Sequence, residues 1–233
     1  MRMKAHIPIA FAMLLCAQSS LAQSEAINSL VDSVYNVLQR VKSYSAEASI
    51  HVDVEFINMP DKTARISFEA PDKYDIESDG FLMIPKVGMK PMMDQLDLDK
   101  YQVVDRGTEE LHGVEHVVIN MIPLDRKSKV VLSTIWINPD AYLISRIETY
   151  TKKAGNFIVD LQYDGQVLPS QLTISFEVEG MNIPLKFFGN EAEVDKKAFR
   201  QAETNVGVVV VGFRYSEIIL SVRTPLENSK FCP

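Results

Sequence analysis

The pentad His112-Gly113-Val114-Glu115-His116 has the spacing of a metal-dependent hydrolase. In the H-x-x-E-H run of inverted zinc peptidases, one helical turn brings both imidazoles to the metal and the glutamate activates water. Here a glycine follows the first histidine at a turn, and Val117, Val118 and Ile119 continue as a β run. Residues four apart on a strand are roughly 13 Å apart, too far to chelate one ion. The pentad therefore reads as a solvated hairpin, and no zinc is expected. Asp94, Asp97 and Asp99 lack the glycine and distal glutamate of a calcium loop and read as an acidic edge. The chain has no G-x-S-x-G and no glycine-rich phosphate loop; His51 falls on the polar side of its run, and Trp136 reads as a packed strand residue. The expectation is a protein without catalytic residues, metal or cofactor.

A second kind of chemistry is apolar. Phe81-Leu82-Met83-Ile84 runs on through Met89, Met92 and Met93, a stretch too apolar for an ordinary loop. Unbranched, polarizable methionine fills irregular space and tolerates varied partners. Beside a sheet, such a cluster forms either a flexible cover over an apolar cavity or simply part of the core.

The surrounding elements decide what the cluster would cover. Ile27, Leu30, Val31, Val34, Val37, Leu38 and Val41 recur at three and four residues, which predicts one amphipathic helix from about Glu25 to Lys42. The period then changes to two. Ala46, Ala48, Ile50, Val52, Val54 and Phe56 alternate with Glu47, Ser49, His51, Asp53 and Glu55, a strand with one dry face. Met59-Pro60-Asp61-Lys62 turns it, Ile66, Phe68 and Ala70 continue the dry face, and Tyr74 and Ile76 follow after Pro71-Asp72 on a third strand.

Further strands are predicted over 101–105, 114–122, 130–137, 142–151, 156–163, 171–179, 183–188 and 206–222, with turns at Asn138-Pro139-Asp140, Ala154-Gly155-Asn156 and Asp164-Gly165. A weaker second helix is predicted over 191–202. The fold class is therefore α+β and mainly antiparallel β: about ten strands in one large curved sheet, with the N-terminal helix and the Met segment as its cover. Ile50, Val52, Val54, Phe56, Phe68, Tyr74 and Ile76 would share the concave face, with Phe81, Met83, Met89, Met92 and Met93 above them.

Composition bounds the compartment and the partners. Arg2 and Lys4 precede the apolar run Ile7 to Cys16, and Ser20-Leu21-Ala22 offers small residues at a cleavage position, so residues 1–22 read as a secretory signal and residues 23–233 as a single domain. Lipid attachment at Cys16 would need a small residue where Leu15 stands. After cleavage Cys232 is the only cysteine, so no internal disulfide can form. The whole chain carries 24 basic and 31 acidic residues, a net charge of −7. That sign argues against nucleic acid and against electrostatic adhesion to anionic headgroups. The longest apolar run after the signal, Val206 to Phe213, is too short to span a membrane. The expected protein is exported and soluble, hence periplasmic in a two-membrane cell.

Several short motifs resemble a known family. Phe68-Glu69-Ala70-Pro71-Asp72-Lys73-Tyr74 resembles the strand, proline and aromatic turn of the periplasmic lipoprotein-carrier (LolA/LolB-like) superfamily. Gly107-Thr108-Glu109 with Gly113-Val114 and the strand ending at Pro123 resembles its middle hairpin. Ile135-Trp136-Ile137-Asn138 with Tyr142-Leu143-Ile144 resembles its next pair of strands. The similarity runs from Tyr44 to Phe188 and is closest to the outer-membrane lipoprotein-sorting members. The resemblance implies an incomplete (half) β-barrel covered by helices, whose apolar cavity receives acyl chains. One departure is Ala70, where a proven carrier has an arginine that helps close the lid.

Two functions follow from residues and resemblance together. The first is a periplasmic carrier for lipid or lipoprotein acyl chains, with envelope membrane proteins as donor or acceptor. The second is a non-catalytic sensor or adaptor that uses the same fold to dock on an envelope partner. The signal itself is testable: intact-mass measurement of the exported protein should begin at Gln23 with no acyl mass. A diacylated N-terminus at Cys16 would contradict that reading.

Overall fold

The computed structural model describes residues 25–54, 57–78, 96–153, 155–177, 193–194 and 206–221. A single helix among them, α1 (25–39), precedes the strands β1 (Val41–Asp53), β2 (Ile57–Asn58), β3 (Lys62–Glu69) and β4 (Lys73–Ser78). The long run follows as β5 (Tyr101–Leu111), β6 (Val114–Pro123), β7 (Val130–Asn138), β8 (Leu143–Thr151), β9 (Asn156–Gln162) and β10 (Gln171–Glu177), then β11 (Glu193–Val194) and β12 (Val206–Leu220).

Ten strands form one sheet in the order β4-β3-β1-β12-β10-β9-β8-β7-β6-β5, antiparallel throughout. Its two ends do not meet, so the sheet is an open half-barrel with α1 ahead of it. β5 to β10 is a plain meander, whereas β12 inserts between β1 and β10 and joins the meander to the N-terminal strands.

Alternation gives the sheet its two faces. Along β1, Ala46, Ala48, Ile50 and Val52 are buried while Glu47, Ser49, His51 and Asp53 are exposed. The register aligns that dry face with Ala64, Ile66 and Phe68 of β3 and with Val209 and Val211 of β12. It continues through Leu172 and Ile174 of β10, Leu161 of β9, Ile147 of β8, Ile135 of β7, and Ile119 and Met121 of β6. Val31, Val34 and Leu38 of α1 are buried in the same cluster, each contributing about 1.5–3 kcal/mol by leaving water.

Several sequence expectations shift. The helix stops at residue 39 rather than at Lys42, because Val41 already belongs to β1 and the Arg40 carbonyl accepts the Ser221 N–H (2.7 Å) beyond the end of β12. β5 runs on to Leu111 instead of ending at Asp105. A bulge absorbs the irregularity, with Gly107 at φ 86° and its N–H donated to Asp105 Oδ1 (2.7 Å). Within the expected helix 191–202, residues 193–194 are instead strand β11, paired with Ile57–Asn58. The rest of that helix, the strand over 183–188 and the Met segment lie outside the described residues.

His112 and Gly113, at φ 54° and 79°, form the two-residue turn between β5 and β6. Two positive φ angles match the right-handed twist of a tight hairpin.

One close approach sets a test of this packing. Gly207 lies opposite Phe176, and a Cβ there would stand 2.6 Å from the Phe176 ring and 2.9 Å from Val54 Cγ2. Gly207→Ala should therefore destabilise the protein by about 1–3 kcal/mol through overpacking. Urea unfolding checks it; an unchanged midpoint would show that ring and strand move apart freely.

Candidate apolar binding face

The dry side of β1, β3 and β4 is where sequence placed the ligand. Ile50, Val52 and Val54 are buried in and just beyond β1, and Phe68 is buried on β3. Tyr74 is half-buried on β4, opposite Phe68, and Ile76, opposite Ile66, is 47% exposed. These six share one face. Phe56, Phe81, Met83, Met89, Met92 and Met93 lie outside the described residues.

Sequence reasoning missed the aromatic end of this face. The Phe68 ring stands 4.7 Å from Tyr74 and 5.4 Å from Tyr44; Tyr44 meets Tyr215 edge-on at 5.6 Å, and Tyr215 stacks on Phe213 at 6.0 Å. Aromatic pairs at these separations add about 0.5–1.5 kcal/mol each beyond their area. The signal was present: Tyr44 stands two residues before Ala46, and Phe213 and Tyr215 two and four after Val211, all on the dry alternation.

Tyr44, Tyr74, Tyr163 and Tyr215, all half-buried, have polar partners. Tyr215 donates to the Pro169 carbonyl (2.9 Å), Tyr163 to the Ile144 carbonyl (2.8 Å), and Tyr44 and Tyr74 share a hydrogen bond. Burial, then the neighbouring phenols, holds the Tyr44, Tyr215 and Tyr163 hydroxyls well above the usual tyrosine range. The face is thus neutral, apolar and edged with aromatic hydroxyls. Such a surface suits hydrocarbon.

The opposite face offers different chemistry. An open groove of about 520 Å³ there is lined by Ser43, Ser45, Ser67, Glu69, Lys73 and Asp75, among others. Its lining mixes these hydroxyls and charges with Tyr44, Phe68 and Ala70, so an acyl chain there would lie against polar groups as well as carbon. His51 Nδ1 pairs with Asp61 at 2.6 Å on this exposed side, and the Asp61 hydrogen bond raises the imidazole above its usual value.

The HGVEH pentad does not assemble into a ligand set. His112 is in the turn, whereas His116 is only 3% exposed, with Nδ1 2.8 Å from the Val114 carbonyl and Nε2 2.7 Å from Ser145 Oγ. Both its ring nitrogens are committed. Asp97 turns to Lys100 (2.7 Å), whose hydrogen bond holds the carboxyl below its ordinary range. Among the described residues no three acidic, His or Cys side chains come together as a metal site. Trp136 is buried, donating Nε1–H to Glu109 (3.0 Å) with the Arg146 guanidinium 5.9 Å from its ring.

The tyrosines impose an alkaline limit. In the unfolded chain a tyrosine loses its proton near pH 10; in the fold these hydroxyls keep theirs to higher pH. Above about pH 10 the native state therefore binds more protons than the unfolded one, and stability falls as pH rises. Below that pH both states are protonated and the contribution is complete. Thermal melts should hold level from neutrality and then drop above about pH 10, less steeply in Tyr44→Phe. An equally steep drop in that variant would remove Tyr44 from the account.

No family model and no curated protein matches the chain. Solved structures do. A DUF1329 family protein from Desulfovibrio piger aligns with a TM-score of 0.51 at 13% identity, covering 85% of this chain and 93% of its own. A LolA superfamily protein from Nitrosomonas europaea aligns at 0.43 and 11% identity, covering 83% and 94%. A putative outer membrane lipoprotein-sorting protein domain from Vibrio parahaemolyticus aligns at 0.41 and 11%, covering 85% and 95%. The likeness to the first is one of fold alone, and the overlap with the other two is too low to carry a function.

Proposed function

We propose that this is an exported, non-enzymatic, single-domain protein that binds lipid or the acyl chains of lipoproteins on the concave face of its sheet. The observation that carries the reading is the continuous apolar face of Ile50, Val52, Val54 and Phe68, which reaches Tyr74 and Ile76 on β4, the edge strand among the described residues. An apolar side chain half in water at the rim of a buried face is where a hydrocarbon chain gains most by arriving. Each methylene that leaves water contributes about 0.8 kcal/mol, so affinity needs no polar contact.

Phe56, Phe81, Met83, Met89, Met92 and Met93 complete the site in this proposal, the Met segment following directly on β4 in sequence. Neutral phenols suit an uncharged acyl or ester group better than a bare charge. Periplasmic location and transfer between envelope proteins belong to the same reading. No described helix is long and apolar enough to cross a membrane.

Titration of a fluorescent fatty acid into the wild type, Ile76→Glu and Met92→Glu, with thermal melts alongside, tests the proposal. The wild type should bind, and both variants should bind at least tenfold more weakly, since a carboxylate in a dry site costs several kcal/mol. Ile76 is exposed enough for its variant to fold. A wild type that binds no probe, or a folded Ile76→Glu and Met92→Glu that bind as tightly as it does, would sink the reading.

A further inference from the structure

The chain is acidic overall, yet one corner of the sheet is not. The β6–β7 loop carries Arg126, Lys127 and Lys129, and the β8–β9 turn carries Lys152 and Lys153. Two hydrogen bonds hold the loops side by side: the Lys152 N–H donates to the Lys129 carbonyl (2.9 Å), and Lys152 Nζ to the Arg126 carbonyl (2.7 Å). All five cationic residues are exposed, and none of them is in an ion pair among the described residues.

The one carboxylate in the two loops, Asp125, is used as a turn cap. Its Oδ1 accepts the Lys127 N–H (2.8 Å), while its carbonyl accepts the Ser128 N–H (3.0 Å). Beside the loops, the turn before β5 adds Lys100, paired with Asp97, and Asp99, so the corner stays positive.

Apolar side chains stand among these charges. Leu124 is 59% exposed, the highest value of any large apolar residue described, and Val131, at the other end of the same loop, is 50% exposed. Ile122 is also exposed one step back along β6. A cationic loop tipped with aliphatic side chains matches the boundary of a bilayer, where anionic headgroups lie above hydrocarbon. An acidic soluble partner would satisfy the lysines but leave Leu124 and Val131 without a reason to face water.

We infer that the Arg126–Lys129 and Lys152–Lys153 loops, with Leu124 and Val131, form a docking tip for the surface of an anionic phospholipid bilayer. The tip is separate from the acyl-binding face and does not rest on that face binding anything.

Co-sedimentation of the purified protein with vesicles tests this, using phosphatidylcholine alone and phosphatidylcholine mixed with phosphatidylglycerol. The wild type should partition onto the mixed vesicles, and added salt should release it. Each basic residue at an anionic surface strengthens partition by about fivefold, so Lys127→Gln with Lys129→Gln should weaken it by about twenty-five-fold. Leu124→Ser should weaken it severalfold. All three positions are exposed, and melting temperatures close to wild type will confirm that the variants fold.

Three outcomes would overturn the inference. They are equal partition onto phosphatidylcholine alone, folded variants that partition like the wild type, and retention on immobilised polyglutamate without partition onto vesicles. The last would assign the corner to an acidic protein partner instead.

Discussion

Insertion of β12 between β1 and β10 is the constraint on which the rest of the molecule depends. Its residues pair with β1 from Val41↔Leu220 to Asp53↔Val208 and with β10 from Gln171↔Gly212 to Glu177↔Val206. Without it the N-terminal strands and the meander would be separate small sheets, each burying one face on nothing. The loop this pairing closes is long, but closure cost grows only logarithmically, by about 0.6 kcal/mol per doubling. The continuous apolar surface it completes outweighs that. A bare glycine at 207 lets the Phe176 ring lie across the seam, and the Ser221–Arg40 hydrogen bond fastens the end of β12 to the end of α1.

Burial on both faces has to be reconciled with polar groups, and here the sheet is consistent. On the dry face Ser133 and Thr149, both buried, hydrogen-bond to each other at 3.1 Å. On the outer face Val118, Trp136, Thr134 and His116 are buried, and the last three each find a side-chain partner: Glu109, Asn120 and Ser145. A buried polar group without a partner costs about 1–3 kcal/mol, so these contacts prevent loss more than they add stability. The same logic explains why His116 is spent as a structural residue. Its neighbour across two strands, Ser145, is the extra residue of a bulge in β8 opposite Trp136–Ile137, which brings the hydroxyl to Nε2.

Much of this was legible in the sequence, because strands with one wet and one dry face announce their period and their turns. The hairpin at His112-Gly113 and the dry sides of β1 and β3 read directly. Three features did not. Val41 fits both the helical period from Leu38 and the first step of a strand, so the helix end was blurred. A bulge such as that at Gly107 changes pairing without changing composition, which hid the second half of β5. Residues 193–194 pair with a strand far away in sequence, and no local pattern encodes such a partner. At the site, alternation found Phe68 and Tyr74 but was not followed outward to Tyr44, Phe213 and Tyr215.

Net charge and local charge differ across this molecule. A total of −7 describes the far field, but screening limits interactions between exposed charges to about 8 Å at physiological ionic strength. What a bilayer would meet is the local set, and the two loops at residues 123–130 and 151–155 are cationic. Register places them away from the aromatic rim. The loops lie at the end of the strands marked by Pro123, Val130 and Thr151, which runs through Phe176 and Val206 to Asp53. Tyr44, Phe68 and Tyr74 lie toward the other end, where Val41 meets Leu220. The strand order also puts seven steps between β7 and β4, roughly 34 Å along the sheet. A protein held at a membrane by that corner would keep the aromatic rim of Tyr44, Phe68 and Tyr74 clear of it, so adhesion and access at that rim do not compete.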